Sequence, residues 1–62
     1  MSEPIAFVVK RNHRGVALVA RQQVRRVVAG IAFFLTRVEV MPFDGTDEGR
    51  MRAEALLVAR MA

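Results

Sequence analysis

Gln22-Gln23-Val24-Arg25-Arg26-Val27-Val28-Ala29-Gly30-Ile31-Ala32-Phe33-Phe34-Leu35 is the stretch on which the fold turns. Val24, Val27, Val28, Ile31 and Leu35 fall at helical spacing, with Arg25, Arg26 and Ala29 on other faces. Gly30 would then end a short helix from its C′ position. The rival reading continues a sheet, with Ala29-Gly30 as a turn or bulge in a meander. Period-two alternation is poor over residues 24–28, which favours a helix from about 22 to 29. The abundance of valine and the want of an N-cap favour a strand. The expectation over 22–30 is a short helix, with a further strand as its alternative.

Upstream, Ile5-Ala-Phe-Val-Val-Lys-Arg11 and Val16-Ala-Leu-Val-Ala-Arg21 are β-branched and aromatic and read as two strands. Asn12-His13-Arg14-Gly15 between them suits a type I turn, with Gly15 in a left-handed conformation that forms a bulge. An N-terminal β-hairpin follows. Downstream, residues 32–42 read as one long strand. Thr36, Val38 and Val40 point to one side of it, Arg37 and Glu39 to the other, and Pro42 closes it.

Residues 46–61 read as a helix. Thr46 or Asp44 can cap it, and Asp47 and Glu48 lie in its first turn, where the helix dipole favours negative charge. Glu48 with Arg52, and Arg50 with Glu54, stand at i,i+4. Met51, Ala55, Val58, Ala59 and Ala62 form an apolar stripe that should cover the sheet. Phe7, Val9, Leu18, Val38 and Val40 should supply the sheet's side of the core. Leu57 and Met61 then fall on an adjoining face and Leu56 opposite. Together with Phe33 or Phe34, Leu57 and Met61 are the candidate subunit interface. The predicted fold is a small single α+β domain over residues 1–62: hairpin, long third strand, and C-terminal amphipathic helix on the sheet.

Composition narrows the function. A chain of 62 residues with 53% hydrophobic side chains has too little interior to hide them all. It has no cysteine and one histidine, so disulfides and thiolate metal sites are excluded. Association with a second copy is the remaining means of adding stability, and a homodimer is expected. The terminus Met-Ser-Glu-Pro has no basic region, so no secretory signal is expected. The longest apolar run, Val27 to Leu35, is far short of the roughly 20 residues that span a bilayer. No integral membrane association is expected, and a cytoplasmic location fits the lack of cysteine. An interfacial segment flanked by Arg25, Arg26 and Arg37 is the weaker membrane reading.

No reactive constellation emerges. Ser2, Thr36, Thr46 and Lys10 lack a partnered base, and His13 sits on a turn with nothing to orient it. Asp44, Asp47 and Glu48 are explained by helix capping rather than by acid–base work. Asp44-Gly-Thr-Asp-Glu-Gly49 resembles the start of a calcium loop. Its twelfth position, however, is Ala55 instead of a bidentate Glu. No metal, cofactor or catalytic role is assigned.

Charge is the feature with functional weight. The net charge is +4, and residues 10–37 contain Lys10, Arg11, Arg14, Arg21, Arg25, Arg26 and Arg37 with no acid. Lys10, Arg11, His13, Arg14, Arg21, Arg25 and Arg26 are the candidate contacts to an anion, a nucleic acid or a protein partner. There is no Tyr or Trp on which single-stranded bases would stack. The expected function is that of a non-enzymatic accessory or regulatory protein acting by binding. The leading version is an inhibitor or adaptor of a larger assembly, of a size common among phage and mobile-element proteins. The alternative is a basic nucleic-acid-binding module acting through Arg–phosphate contacts.

Overall fold

The computed structural model describes residues 4–62. It has three strands and one helix: β1 (Ala6–Asn12), β2 (Gly15–Val28), β3 (Ile31–Phe43) and α1 (Asp47–Met61). The strands form an antiparallel meander in the order β1-β2-β3. The helix packs on one face, giving a two-layer α+β domain.

The decisive stretch is strand, not helix. β2 runs without a break from Gly15 to Val28 and turns through Ala29 and Gly30 into β3. Both turn residues have positive φ, 53° and 79°. That is the backbone sense of a two-residue hairpin turn, which matches the right-handed twist of the strands it joins. The helical spacing noted in the sequence has a second origin. Val28 pairs with Ile31, and Val24 pairs with Leu35. These four residues lie on one face of the hairpin, so i, i+4, i+7 and i+11 coincide there as they do on a helix. The β-branched valines and the cross-strand pairs resolve the degeneracy in favour of the sheet.

The first hairpin forms where expected but without the expected bulge, the register running directly from Asn12–Gly15 to Arg11–Val16. Asn12 pairs with Gly15, whose φ is 136°, and the Asn12 side-chain oxygen accepts from the Arg14 amide at 2.8 Å. β3 extends one residue past the expected stop. Pro42 pairs with Ala17 inside the strand. β3 is an edge strand, so a missing N–H can face outward at no cost to the ladder.

The core differs from expectation in its helix face. Gly49, Ala53, Leu57 and Met61, spaced by four, are the buried residues of α1. They pack with Leu18 and Ala20 of β2, flanked by Ile5, Phe7, Met41 and Phe43. The expected stripe points away instead, with Met51 and Val58 exposed. Leu57 is 0% exposed, and Met61 is buried, so neither has surface to offer a second subunit. On the sheet side, Phe7, Val9 and Leu18 share the helix-facing side with Met41 and Phe43. Val38 and Val40 lie on the opposite face. Small residues at 20 and 53 let helix and sheet approach closely. Larger ones there would hold the two layers apart.

Both helix ends are tied down. Thr46, extended at φ −84° and ψ 158°, accepts from the Gly49 amide on its hydroxyl at 3.0 Å. Asp44 Oδ1 accepts in turn from the Thr46 amide at 3.0 Å and the Thr46 hydroxyl at 2.6 Å. At the far end, the Arg37 guanidinium donates to the carbonyl of Arg60 at 2.8 Å. A cation on the last carbonyls also meets the negative end of the helix dipole.

Candidate interaction surfaces

The basic block is divided by the fold. Lys10, Arg11, His13 and Arg14 sit around the β1–β2 turn, and Arg25 and Arg26 sit near the β2–β3 turn. The two turns point in opposite directions along an antiparallel sheet. Ten residues of β2 lie between Arg14 and Arg25, a separation of roughly 36 Å at the rise of an extended strand. Side-chain direction divides them again. Lys10, Arg21 and Arg25 share the face away from the helix, whereas Arg11 and Arg26 share the helix side. Arg37 serves as the cap on α1. The candidate residues therefore do not converge on one phosphate-sized site.

Among the described residues, no layer covers the face of the sheet away from the helix. Its centre is a cross-strand row, Val8–Val19–Val40. Val19 is only 5% exposed, because a valine on each neighbouring strand flanks it, while Val8 and Val40 remain half open. Ala6, Ala17 and Val38 extend the row along the strands, with Lys10 and Arg21 at its margins. Both charges are positive, and the one acid on β3, Glu39, belongs to the other face. The alternation of Thr36, Val38 and Val40 shows in the sequence. Which face the helix leaves open depends on long-range packing and does not.

Beyond the Ala6–Arg21 pair, β1 ends and β2–β3 continues as a two-stranded arm. The molecule is correspondingly long, 45 × 22 × 13 Å. Near the arm's end Arg25 stands opposite Phe34 on one face and Arg26 opposite Phe33 on the other. Past them come only Val27, Val28, Ala29, Gly30, Ile31 and Ala32. Phe34 is 63% exposed and Ile31 68%. Phe33 and Phe34, candidates for a subunit interface, are thus on the surface, on opposite faces of the arm.

Among the described residues, no group of three His, Cys, Asp or Glu side chains is placed to hold a metal ion. Ser2 lies outside the described residues. His13 is on the exposed first turn. The carboxyl of Asp44 is held below the ordinary aspartate range, first by the Thr46 hydroxyl and then by the Thr46 amide. That oxygen is committed to capping. Among the described residues, no helix is long and apolar enough to cross a membrane. Comparisons with protein-family models, curated proteins and solved structures found no match.

Proposed function

We infer that this chain is a non-enzymatic binding module that docks a protein on its open sheet face. The supporting observation is the Val8–Val19–Val40 row, apolar, left uncovered by the described residues, and bordered by Lys10 and Arg21 with no acid among the described residues on that face. A surface of this kind complements an apolar strip edged by carboxylates. Pairing two copies face to face would bring like charges together, so the occupant is a different, acidic-rimmed protein. The role is that of an inhibitor or adaptor, in which a small rigid sheet occludes or bridges a surface of a larger assembly. A cytoplasmic location accompanies this reading, since no cysteine is available for disulfides.

Nucleic-acid binding draws less support. Its cations are split between two ends and two faces, and phosphate contacts need them aligned. The test is affinity capture from nuclease-treated lysate of the source cells. A protein retained by the native chain and by Arg14→Glu, but lost with Val40→Asn and with Arg21→Glu, supports the sheet-face reading. Retention by all four, or loss upon nuclease treatment, overturns it.

A further inference from the structure

We propose that the tip of the β2–β3 arm, Val27 to Ala32, inserts into the interface of an anionic lipid bilayer. The tip lies along the arm beyond the Val8–Val19–Val40 row, and the proposal does not depend on the reading given to that row.

The tip is apolar on both sides. Val28 and Ile31 point to one face, Val27 and Ala32 to the other, and Val27, Val28 and Ile31 are each more than half exposed. A two-stranded ribbon with two apolar faces gains nothing from water. A groove on a protein that covered one face would leave the other wet. A fluid apolar medium receives both.

Immediately behind the tip the arm carries one cation on each face. Arg25 and Arg26 are adjacent in β2, so they stand at one height with their side chains on opposite sides. Each faces a phenylalanine across the ladder. An apolar end followed by a cationic collar is the order in which a bilayer presents its acyl boundary and its phosphates. No acid lies between residues 10 and 37 to oppose an anionic surface. A second copy would set Arg25 and Arg26 against the same cations.

Length agrees. From the collar to the turn is about three residues, roughly 10 Å at the strand rise. That reaches the headgroup and acyl boundary, which segments lying in the interface occupy at about 5–10 Å depth. It is far short of the roughly 30 Å hydrocarbon core. At this depth water and headgroups still reach the unpaired backbone groups along the ribbon's edges, which a deeper insertion would strand.

The turn supplies an independent observation. Ala29 is the only described non-glycine residue with positive φ. Asn, Asp or Gly relieves that strain, and the first two are polar. Retaining a methyl group at the apex keeps the tip uniformly apolar at a conformational cost. Strain of this sort marks positions constrained by function.

The chain has no Trp, so a single indole reports on the tip without background. Ile31→Trp is titrated with phosphatidylcholine–phosphatidylserine vesicles and with phosphatidylcholine vesicles. Leu56→Trp, on the exposed side of α1, is the control. The expected result is a blue shift and quenching by brominated lipid at position 31, confined to the anionic vesicles, and neither at position 56. Arg25→Ala and Arg26→Ala should each weaken that binding about five-fold. No association with anionic vesicles overturns the proposal. So does association without a shift at position 31, which is electrostatic adsorption only. A blue shift at position 31 without lipid, with the mass of two chains in light scattering, assigns the tip to a second copy and also overturns it.

Discussion

The Arg37 guanidinium, on β3, lies 2.8 Å from the main-chain carbonyl of Arg60, at the last turn of α1. One side chain thus joins the sheet at the point where the arm leaves it to the end of the helix that covers it. A charged donor on helix-terminal carbonyls adds a hydrogen bond and a favourable dipole interaction. Arg37→Met should therefore destabilise the domain by about 1–2 kcal/mol. Urea unfolding followed by helical circular dichroism measures it. A loss indistinguishable from that of Arg14→Met, on the exposed first turn, would contradict the capping role.

Leu57 is expected to behave as a core residue. Leu57→Ala should cost about 2–5 kcal/mol, a large share of the stability of so small a domain. The same measurement on Leu56→Ala, whose side chain is half exposed, should give well under half that loss. Equal losses would mean that the wrong helix face has been assigned to the sheet.

The N-terminal cap couples two substitutions. A methyl at Gly49 would collide with the Asp44 carboxylate. Gly49→Ala should thus destabilise the native chain even though alanine favours the helix by about 1 kcal/mol over glycine. In an Asp44→Ala background only the tight approach to the Thr46 hydroxyl, 3.1 Å, remains, and Gly49→Ala should cost far less than in the native chain. A double-mutant cycle checks this coupling, and equal costs of Gly49→Ala in the two backgrounds would contradict it.

The same carboxylate gives a pH signature. Its pKa is lower folded than unfolded, so its contribution is complete above the unfolded value, about 3.9. The contribution fades as pH falls toward the folded value. The stability gap between the native chain and Asp44→Ala should be flat near neutrality and close in acid. A gap that widens on acidification would reverse the assigned direction.

At the arm's tip, Ala29 carries the strain of a left-handed residue. Ala29→Gly should raise stability by up to about 1 kcal/mol, the steric relief being partly offset by glycine's freedom in the unfolded chain. Thermal unfolding checks it. A marked loss would show that the turn differs from the two-residue form.

Much of this was legible in the residues. The first hairpin follows from Asn12 and Gly15. The helix start follows from Thr46 with Asp47 and Glu48, and the i,i+4 pair of Glu48 and Arg52 is present at 3.6 Å. Three features were not legible. A two-residue hairpin repeats the spacing of a helix on one face, so Val24, Val28, Ile31 and Leu35 could not separate the two. In α1 nearly every face carries Ala, Leu, Val or Met. The buried one was therefore chosen by packing against Leu18 and Ala20, not by hydropathy. The arginines read as one basic block because chain order hides direction, and the meander sends Arg14 and Arg25 to opposite ends.

The open sheet face is the central claim, and Lys10 tests it directly. It is the chain's only lysine and lies on that face. Zero-length carbodiimide coupling in nuclease-treated lysate, followed by mass spectrometry, should join Lys10 to an Asp or Glu of another protein. The adduct should vanish with Val40→Asn. Coupling of Lys10 only to a second copy of this chain, or an adduct unaffected by Val40→Asn, would contradict the account.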